Sequence, residues 1–150
     1  MKKLNLGSGE AYKLYPDYEG LDIVDFGQTY VGDVLELITS PIKYLDFEDN
    51  YWDEVMANHF LEHFDQNNLQ TIFFNTHRML IPGGAFKFVV PHMKKEKSWV
   101  LSHKTFWNEE TVKWLEREDA DLVYGFGKWK ILELVTNERE DIHIKLEAIK

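Results

Sequence analysis

The sequence contains no cysteine, which excludes disulfide bonds, thiolate nucleophiles and zinc sites built from sulfur ligands. Proline is scarce, with 4 residues in 150. No apolar run approaches the roughly 20 residues that a membrane helix needs, and the one near the amino terminus is too short for a signal peptide. We therefore expect a cytoplasmic protein that does not associate with membranes.

Basic residues are also few, since 17 lysines and arginines stand against 26 acidic residues, for a formal net charge of -9. Such a surface repels phosphate backbones, so nucleic acid is disfavoured as a partner. A hydrophobic fraction of 44% and an aromatic fraction of 15% are typical of a folded chain. The length predicts a single domain over residues 1–150.

Short apolar runs alternate with helical patterns along the chain. Five strands are predicted, at residues 3–6, 18–24, 29–35, 52–57 and 85–90. Asp65 is a good cap for a helix after the fourth strand, a second helix begins at Asn108, and only a short one fits before the second strand. Strand-like runs at 129–135 and 142–149 predict a terminal hairpin, in whose last strand buried residues alternate with solvent-facing residues. This order predicts an α/β fold with a mainly parallel sheet and an antiparallel end.

Glycines and acidic residues follow the first three predicted strands. Gly7 and Gly9 form a turn after the first strand, Asp22 ends the second, and Asp33 ends the third. Ligands of open parallel sheets bind beyond the carboxyl ends of the strands, where a carboxylate can accept hydrogen bonds from ribose hydroxyls. The dinucleotide fingerprint is absent, because Tyr12 stands where its third glycine belongs and Asp22 follows too soon. The pattern therefore favours an adenosine ligand other than NAD.

Five sequence runs occur in order between residues 3 and 92: LNLGSGE, GLDI, GDVLEL, FEDNYWDEVMANHFLEHF and RMLIPGGAFKFVVP. The ordered set resembles the class I S-adenosylmethionine-dependent methyltransferases, especially a small bacterial and viral branch with a leucine-glutamate-histidine run after the fourth strand. The resemblance implies a Rossmann-like, mostly parallel seven-stranded sheet with a C-terminal antiparallel hairpin, here with a short first helix. It also implies a methyltransferase whose cofactor is S-adenosylmethionine.

The resemblance further implies which residues contact the cofactor at the carboxyl ends of the strands. The implied contacts are Gly7, Ser8 and Gly9 on the methionine part, Asp22 and Ile23 on the ribose, Asp33 and Val34 around the adenine, and Asn58 and His59 near the reactive methyl group. This chain departs from the family pattern in two ways. The third loop glycine of the family is Ala11, and an insertion at residues 36–44 makes Asp46 an alternative to Asp33 beside the adenine.

Methyl transfer needs little more than alignment of a nucleophile with the activated methyl group. Where the acceptor must lose a proton, a histidine is a suitable base, so His59 and His92 are the candidate catalytic residues. For each of them a hydrogen-bonding role within the fold is the alternative. The expected acceptor is a small molecule, a glycan or a nucleotide-linked precursor, and the lysines and aromatic rings of residues 92–107 suit an anionic or sugar-like one. Neither the attacked atom nor the oligomeric state follows from the sequence.

Two other functions fit the same residues. Residues 59–63 match H-x-x-E-H, in which two histidines bind zinc and the glutamate acts as a base, so a zinc hydrolase is a remote alternative. Because the motif directly follows a strand and Asp65 starts a new helix, no metal-ligating residues are predicted. The other alternative is a non-catalytic relative that binds a nucleoside or a protein partner, favoured by how little chain remains for a substrate lid.

Overall fold

A seven-stranded sheet forms the centre of residues 1–36 and 47–150, which are the residues that the computed structural model describes. The strands are β1 (Lys3–Leu6), β2 (Glu19–Asp22), β3 (Tyr30–Val31), β4 (Trp52–Asn58), β5 (Leu80–Pro91), β6 (Trp129–Thr136) and β7 (Asp141–Ala148). Their order in the sheet is β3-β2-β1-β4-β5-β7-β6. Neighbours among β1 to β5 are parallel, whereas β7 is antiparallel to both β5 and β6. The predicted α/β class, with a mostly parallel sheet and an antiparallel C-terminal hairpin, is confirmed.

Three α-helices lie in the described residues: α1 (Gln66–Met79), α2 (Glu109–Lys113) and α3 (Glu118–Leu122). The predicted Asp65 cap is confirmed, since Asp65 accepts a hydrogen bond from the Asn68 N–H at 3.0 Å. The helix predicted from Asn108 does start there, where Asn108 forms a capping box with Thr111. The predicted short first helix is the 3-10 helix Gly9–Leu14. None of the helices in the described ranges has the length and apolarity that crossing a membrane requires.

Three strands differ from their predicted bounds by more than one residue, and of these β2, predicted at 18–24, contains only Glu19–Asp22. β3 contains only Tyr30–Val31, because the chain then turns into a 3-10 helix. β5 starts at Leu80 and includes the Pro82-Gly83-Gly84 segment, whereas the strand was predicted to start at residue 85. Leu80 pairs with Trp52, and the pairing register shifts between Trp52 and Glu54, which accommodates the extra residues of β5.

The hydrophobic core lies between α1 and one face of the sheet. Phe73 of α1 is fully buried, and its ring centroid lies 5.4 Å from that of Phe86 and 5.8 Å from that of Phe88 on β5. The opposite face carries polar side chains, among them Lys87, whose Nζ lies 2.6 Å from a carboxylate oxygen of Glu54. β7 alternates buried with partly buried residues, which confirms the predicted alternation. The core therefore holds the strand ends in a defined arrangement.

The strand order creates a switch point between β1 and β4. The sheet extends from β1 through β2 to β3 on one side, and from β4 to β5 on the other. In open α/β sheets, ligands bind beyond the carboxyl ends of the strands at such a point. This edge of the sheet is therefore where a ligand site is expected.

Candidate active site

The glycine turn after β1 is tied to the end of β2 by backbone hydrogen bonds. Gly7 and Gly9 have positive φ angles of 62° and 50°, which glycine adopts without a Cβ clash. The Ser8 N–H donates to the Leu21 carbonyl at 3.1 Å, and the Gly9 N–H donates to Asp22 Oδ2 at 2.9 Å. Both N–H groups are therefore hydrogen-bonded within the protein, and the implied contacts of Ser8 and Gly9 with the cofactor stay a prediction.

A cavity of about 240 Å³ opens beyond the carboxyl ends of β1, β2 and β3. Its lining includes predicted cofactor-binding residues from three segments: Gly7, Asp22, Ile23, Asp33 and Val34. Pockets for drug-sized ligands measure roughly 300 to 1,000 Å³. The cavity is therefore of the size for one part of a large cofactor, such as its nucleoside.

Asp22 is the carboxylate at the β2 end of this cavity. One of its oxygens accepts the Gly9 N–H at 2.9 Å, and the other accepts the Val24 N–H at 3.0 Å. Each carboxylate oxygen has a further lone pair, so Asp22 can also accept hydrogen bonds from the two hydroxyls of a ribose. The neighbouring Ile23 is 67% exposed and offers an apolar contact.

Asp33 contributes a second carboxylate to the same cavity. Its Oδ1 accepts the Leu35 N–H at 2.9 Å at the start of the 3-10 helix Val34–Glu36. Val34 is buried and Leu35 adds an apolar wall, so this side of the cavity suits a flat base. Asp46, the alternative to Asp33 in the sequence analysis, lies outside the described residues.

Two aromatic rings that the sequence analysis missed complete the cavity. Phe60 and Phe64 both line it, and their ring centroids lie 4.8 Å apart in an edge-on contact. Phe60 packs so closely on Gly7 that a Cβ at Gly7 would overlap its ring. The sequence signal for these walls is the pair of phenylalanines that flanks the leucine-glutamate-histidine run.

Asn58 ends β4 on the polar face of the sheet. Its Nδ2 donates to Tyr15 Oη at 3.1 Å, and it lines a separate cavity of about 180 Å³. Asn58 does not line the cavity beside Asp22. Its predicted place near a methyl group stays a prediction.

His59 follows β4 in a conformation that is unusual for a residue with a Cβ. Its φ is 48°, and backbone strain of this kind is concentrated at functional sites. The backbone N–H donates to the Val89 carbonyl at 2.9 Å, which joins the ends of β4 and β5. The half-exposed ring places Nδ1 3.5 Å from Glu62 Oε1. The hydrogen bond to Glu62 raises the pKa of the His59 ring, although burial acts in the opposite direction.

His92 follows β5 and is buried, with 6% of its surface exposed. Its Nδ1 accepts the Lys94 N–H at 3.0 Å, so the ring proton is on Nε2, which lies 3.2 Å from Glu109 Oε2. A hydrogen bond from Thr136, assisted by His92, lowers the pKa of Glu109 to about 2. Both ring nitrogens of His92 are therefore engaged within the fold.

The loop after β5 carries an exposed aromatic pair. The rings of Trp99 and Phe106 stack with their centroids 4.3 Å apart and remain 60% and 38% exposed. Trp107 instead belongs to the core, where its ring centroid lies 5.8 Å from that of Phe88. Lys95 pairs with Asp141 at 2.5 Å, which holds the start of the loop on β7. The loop is thus anchored at its ends and presents rings between them.

The comparison with known proteins agrees with this architecture. A family model described as a methyltransferase domain matches residues 6–88. No curated protein sequence matches the chain. A solved S-adenosylmethionine-dependent methyltransferase from Archaeoglobus fulgidus has a TM-score of 0.68 and 18% identity, and the alignment covers 97% of this chain and 85% of that one.

Two further solved structures have the same fold. The N-methyltransferase NodS from Bradyrhizobium japonicum, in complex with S-adenosylhomocysteine, has a TM-score of 0.64, 16% identity and coverage of 99% of this chain and 78% of that one. A 1,6-didemethyltoxoflavin-N1-methyltransferase from Burkholderia thailandensis, with bound 1,6-didemethyltoxoflavin and S-adenosylhomocysteine, has a TM-score of 0.66, 15% identity and coverage of 99% and 71%. At these identities the likeness shows the fold, and it confirms the predicted Rossmann-like architecture.

The family model is matched by a continuous stretch that runs from the last residue of β1 into β5. This stretch is more than half of the 150 residues and contains the glycine turn, both cavity acids and the segment after β4. The chain therefore belongs to the methyltransferase domain family, which confirms the predicted enzyme class, a methyltransferase that uses S-adenosylmethionine.

Proposed function

We propose that the cavity beyond β1, β2 and β3 holds the adenosine part of S-adenosylmethionine, and that the methyl group is transferred to a small molecule, a glycan or a nucleotide-linked precursor. The observation that carries this proposal is the convergence of Gly7, Asp22, Asp33 and Phe60, from four separate segments, on one cavity. We further propose that residues 1–150 form one cytoplasmic methyltransferase domain of the small bacterial and viral branch. The leucine-glutamate-histidine run after β4 supports the branch, and the absence of cysteine fits a reducing compartment.

The lining of the cavity fits an adenosine group. The Asp22 carboxylate retains lone pairs for the ribose hydroxyls after it has accepted two backbone N–H groups. Val34, Leu35 and the Phe60 ring provide apolar surface for a purine. A mostly apolar lining with a few directed polar groups is typical of nucleoside and cofactor sites.

When bound, the cofactor supplies a methyl group that its sulfonium already activates. The chain then has to bind and orient the two reactants and exclude water. For an acceptor that must lose a proton, we propose His59 as the base, because its ring is half exposed at the end of β4. We prefer His59 to His92 as the base, because both ring nitrogens of His92 are hydrogen-bonded within the fold.

The acceptor is proposed to bind against the loop that follows β5. The stacked and exposed rings of Trp99 and Phe106 offer a flat apolar surface, and Lys94 and Lys97 lie in the same loop. Rings with adjacent cations suit a sugar-like or anionic small molecule. The Burkholderia thailandensis enzyme, which holds a small molecule together with S-adenosylhomocysteine, supports a small-molecule acceptor for this fold.

Calorimetric titration of the purified chain with S-adenosylmethionine, S-adenosylhomocysteine and adenosine tests the cofactor assignment. We expect one binding site and a higher melting temperature, because a ligand that prefers the native state stabilises it by mass action. A panel of small-molecule and glycan acceptors, assayed by S-adenosylhomocysteine formation, then tests turnover. A folded sample that shows neither heat nor a thermal shift at millimolar cofactor would refute the assignment.

One observation favours the second candidate function, a relative that binds a nucleoside without catalysis. The Phe60 ring lies directly over Gly7, where the resemblance places the methionine part of the cofactor. If this ring excludes the methionine part, S-adenosylhomocysteine will bind no more tightly than adenosine. A clearly higher affinity for S-adenosylhomocysteine would show that both parts are held, as methyl transfer requires.

A further inference from the structure

Three side chains with metal-ligand chemistry meet beside the 3-10 helix Leu61–His63. They are Glu62 and His63, which directly follow β4 and its turn, and His103, which comes from the loop after β5. One potential ligand atom from each residue lies within 4.8 Å of the other two. The imidazole rings of His63 and His103 meet edge-on with their centroids 4.9 Å apart. The fold thus brings His103 beside the adjacent residues Glu62 and His63, although it is 40 positions away from His63 in the sequence.

Glu62 is the residue in this cluster that most requires a partner. Only 1% of its surface is exposed, and its Oε2 has no hydrogen-bond partner among the described residues. Its other oxygen lies 3.5 Å from His59 Nδ1. A buried carboxylate oxygen without a partner is costly in free energy, and buried charges are normally paired or coordinate a metal. A cation bound by the Glu62 carboxylate would reduce this cost.

Both histidines are held in the form that binds metals. His63 Nδ1 lies 3.1 Å from the Ser102 carbonyl, and His103 Nδ1 lies 3.1 Å from the Ser98 carbonyl. A carbonyl oxygen can only accept, so each Nδ1 carries the proton and donates it, which leaves a lone pair on each Nε2. Metal-binding histidines are commonly oriented by such a hydrogen bond from the other ring nitrogen.

We propose that Glu62, His63 and His103 bind a divalent transition-metal ion, for which Zn²⁺ is the best match. Two imidazole nitrogens and one carboxylate oxygen form a ligand set that zinc and other divalent transition metals accept. Three protein ligands leave a fourth position free for water or for an acceptor oxygen. Because both histidines are partly exposed, solvent can reach this position.

The ion would join the segment after β4 to the loop after β5. Backbone hydrogen bonds already connect them, since the Glu62 carbonyl accepts the Lys104 N–H at 2.8 Å and the Thr105 N–H at 3.3 Å. The same loop carries Trp99 and Phe106, the proposed acceptor surface. Metal binding would therefore stabilise the position of the proposed acceptor loop, although the site itself does not depend on methyl transfer.

This site differs from the one that the H-x-x-E-H motif describes. In that motif His59 and His63 are the ligands and the glutamate is a base, on a continuous helix. Here a 3-10 helix follows the strand, Glu62 is a ligand, and His103 takes the place of His59. The sequence led us to expect no metal ligands, because the motif follows a strand and Asp65 starts a new helix. The approach of His103 to residue 63 has no signal in the sequence.

Zinc binding to the full chain, first stripped of metal with a chelator, tests the proposal without cofactor or turnover. We expect one Zn²⁺ per chain by calorimetry and by metal analysis after dialysis, together with a higher melting temperature. Loss of an outer hydrogen-bond partner typically costs 10- to 100-fold in metal affinity. Removal of a ligand in Glu62→Gln or His103→Ala should therefore lower the affinity by roughly 100-fold or more.

The controls separate this site from other histidines. His143→Ala removes a histidine of β7 outside the cluster, so its zinc affinity should equal that of the parent. His59→Ala should lose less affinity than His103→Ala; the reverse order would assign the metal to the sequence motif and overturn the proposal. If Glu62→Gln does not fold, the partly exposed His103 still provides the test. Absence of stoichiometric zinc binding by the folded parent would also overturn it, whatever the outcome with S-adenosylmethionine.

Discussion

Replacement of Asp22 by alanine tests the proposed cofactor site most directly. The Asp22 carboxylate accepts the N–H groups of Gly9 at 2.9 Å and Val24 at 3.0 Å, and it lines the proposed adenosine cavity. The variant removes both backbone hydrogen bonds and the proposed partners of the ribose hydroxyls. It should therefore lower both the stability of the fold and the affinity for the cofactor.

The two effects have different magnitudes and can be measured separately. Two lost hydrogen bonds, one of them at an exposed N–H that water can satisfy, should lower the free energy of unfolding by about 1 to 3 kcal/mol. Separately, the loss of hydrogen bonds to the ribose hydroxyls should weaken the binding free energy of the cofactor by about 1 to 3 kcal/mol, which raises Kd roughly 5- to 150-fold. Thermal or denaturant unfolding without ligand gives the first quantity, and calorimetry with S-adenosylhomocysteine at a temperature where the variant is folded gives the second.

Matched variants make this prediction refutable. Asp17→Ala removes an equal charge from an exposed position outside the cavity, so it should leave Kd unchanged. Asp33→Ala should weaken binding less than Asp22→Ala, because the adenine amino group is one polar group whereas the ribose presents two hydroxyls. If the cofactor binds to Asp22→Ala and to the parent with the same Kd, the cavity beyond β2 is not the ribose site, and the proposed position of the cofactor is wrong.

Three other predictions concern single residues. In chemical denaturation, Gly7→Ala should lower the free energy of unfolding by about 2 kcal/mol or more, because Gly7 has a positive φ and an added Cβ would overlap the Phe60 ring. Gly9 also has a positive φ but has open space around it, so Gly9→Ala should lower the free energy of unfolding by only about 1 to 2 kcal/mol. Burial lowers the pKa of His77 below the usual 6.5, so as the pH falls the His77 ring is protonated in the unfolded chain before it is protonated in the folded chain. The free energy of unfolding should therefore decrease as the pH drops through the unfolded-state pKa of this histidine. In His77→Gln the loss of unfolding free energy between pH 7.5 and 5.5 (roughly one unit either side of the histidine pKa) should be smaller, and an equal loss would contradict the reasoning. For an acceptor that must lose its proton, His59→Ala should lower kcat by roughly 10²- to 10⁴-fold with cofactor Kd little changed. A near-normal kcat would show that His59 is not the base.

Much of the site could be predicted because each part of it follows a strand. Gly7, Asp22 and Asp33 stand directly after apolar runs, and parallel strands bring their carboxyl ends to one edge of the sheet, so these residues were expected to meet and they line one cavity. The prediction extended less well past β4. Asn58 ends β4 and His59 follows it, but neither lines that cavity, since the chain turns through a positive φ at His59 and places Phe60 and Phe64 there instead.

The sequence by itself determined the elements whose signals are local. The spacing of apolar residues and the Asp65 cap specify α1, the alternation after residue 141 specifies β7, and the glycine turn with its ordered motifs identified the methyltransferase class. Neighbouring residues carry these signals, so no knowledge of distant contacts is needed.

Only the tertiary structure decided which distant residues meet. The early start of β5 depends on pairing between Leu80 and Trp52, and the apolar cover of Gly7 depends on Phe60. The cluster of Glu62 and His63 with His103 depends on the path of the loop after β5, which packs on the segment after β4. Such contacts follow from strand order and loop packing rather than from spacing along the chain, and for this reason the proposed metal site became visible only in three dimensions.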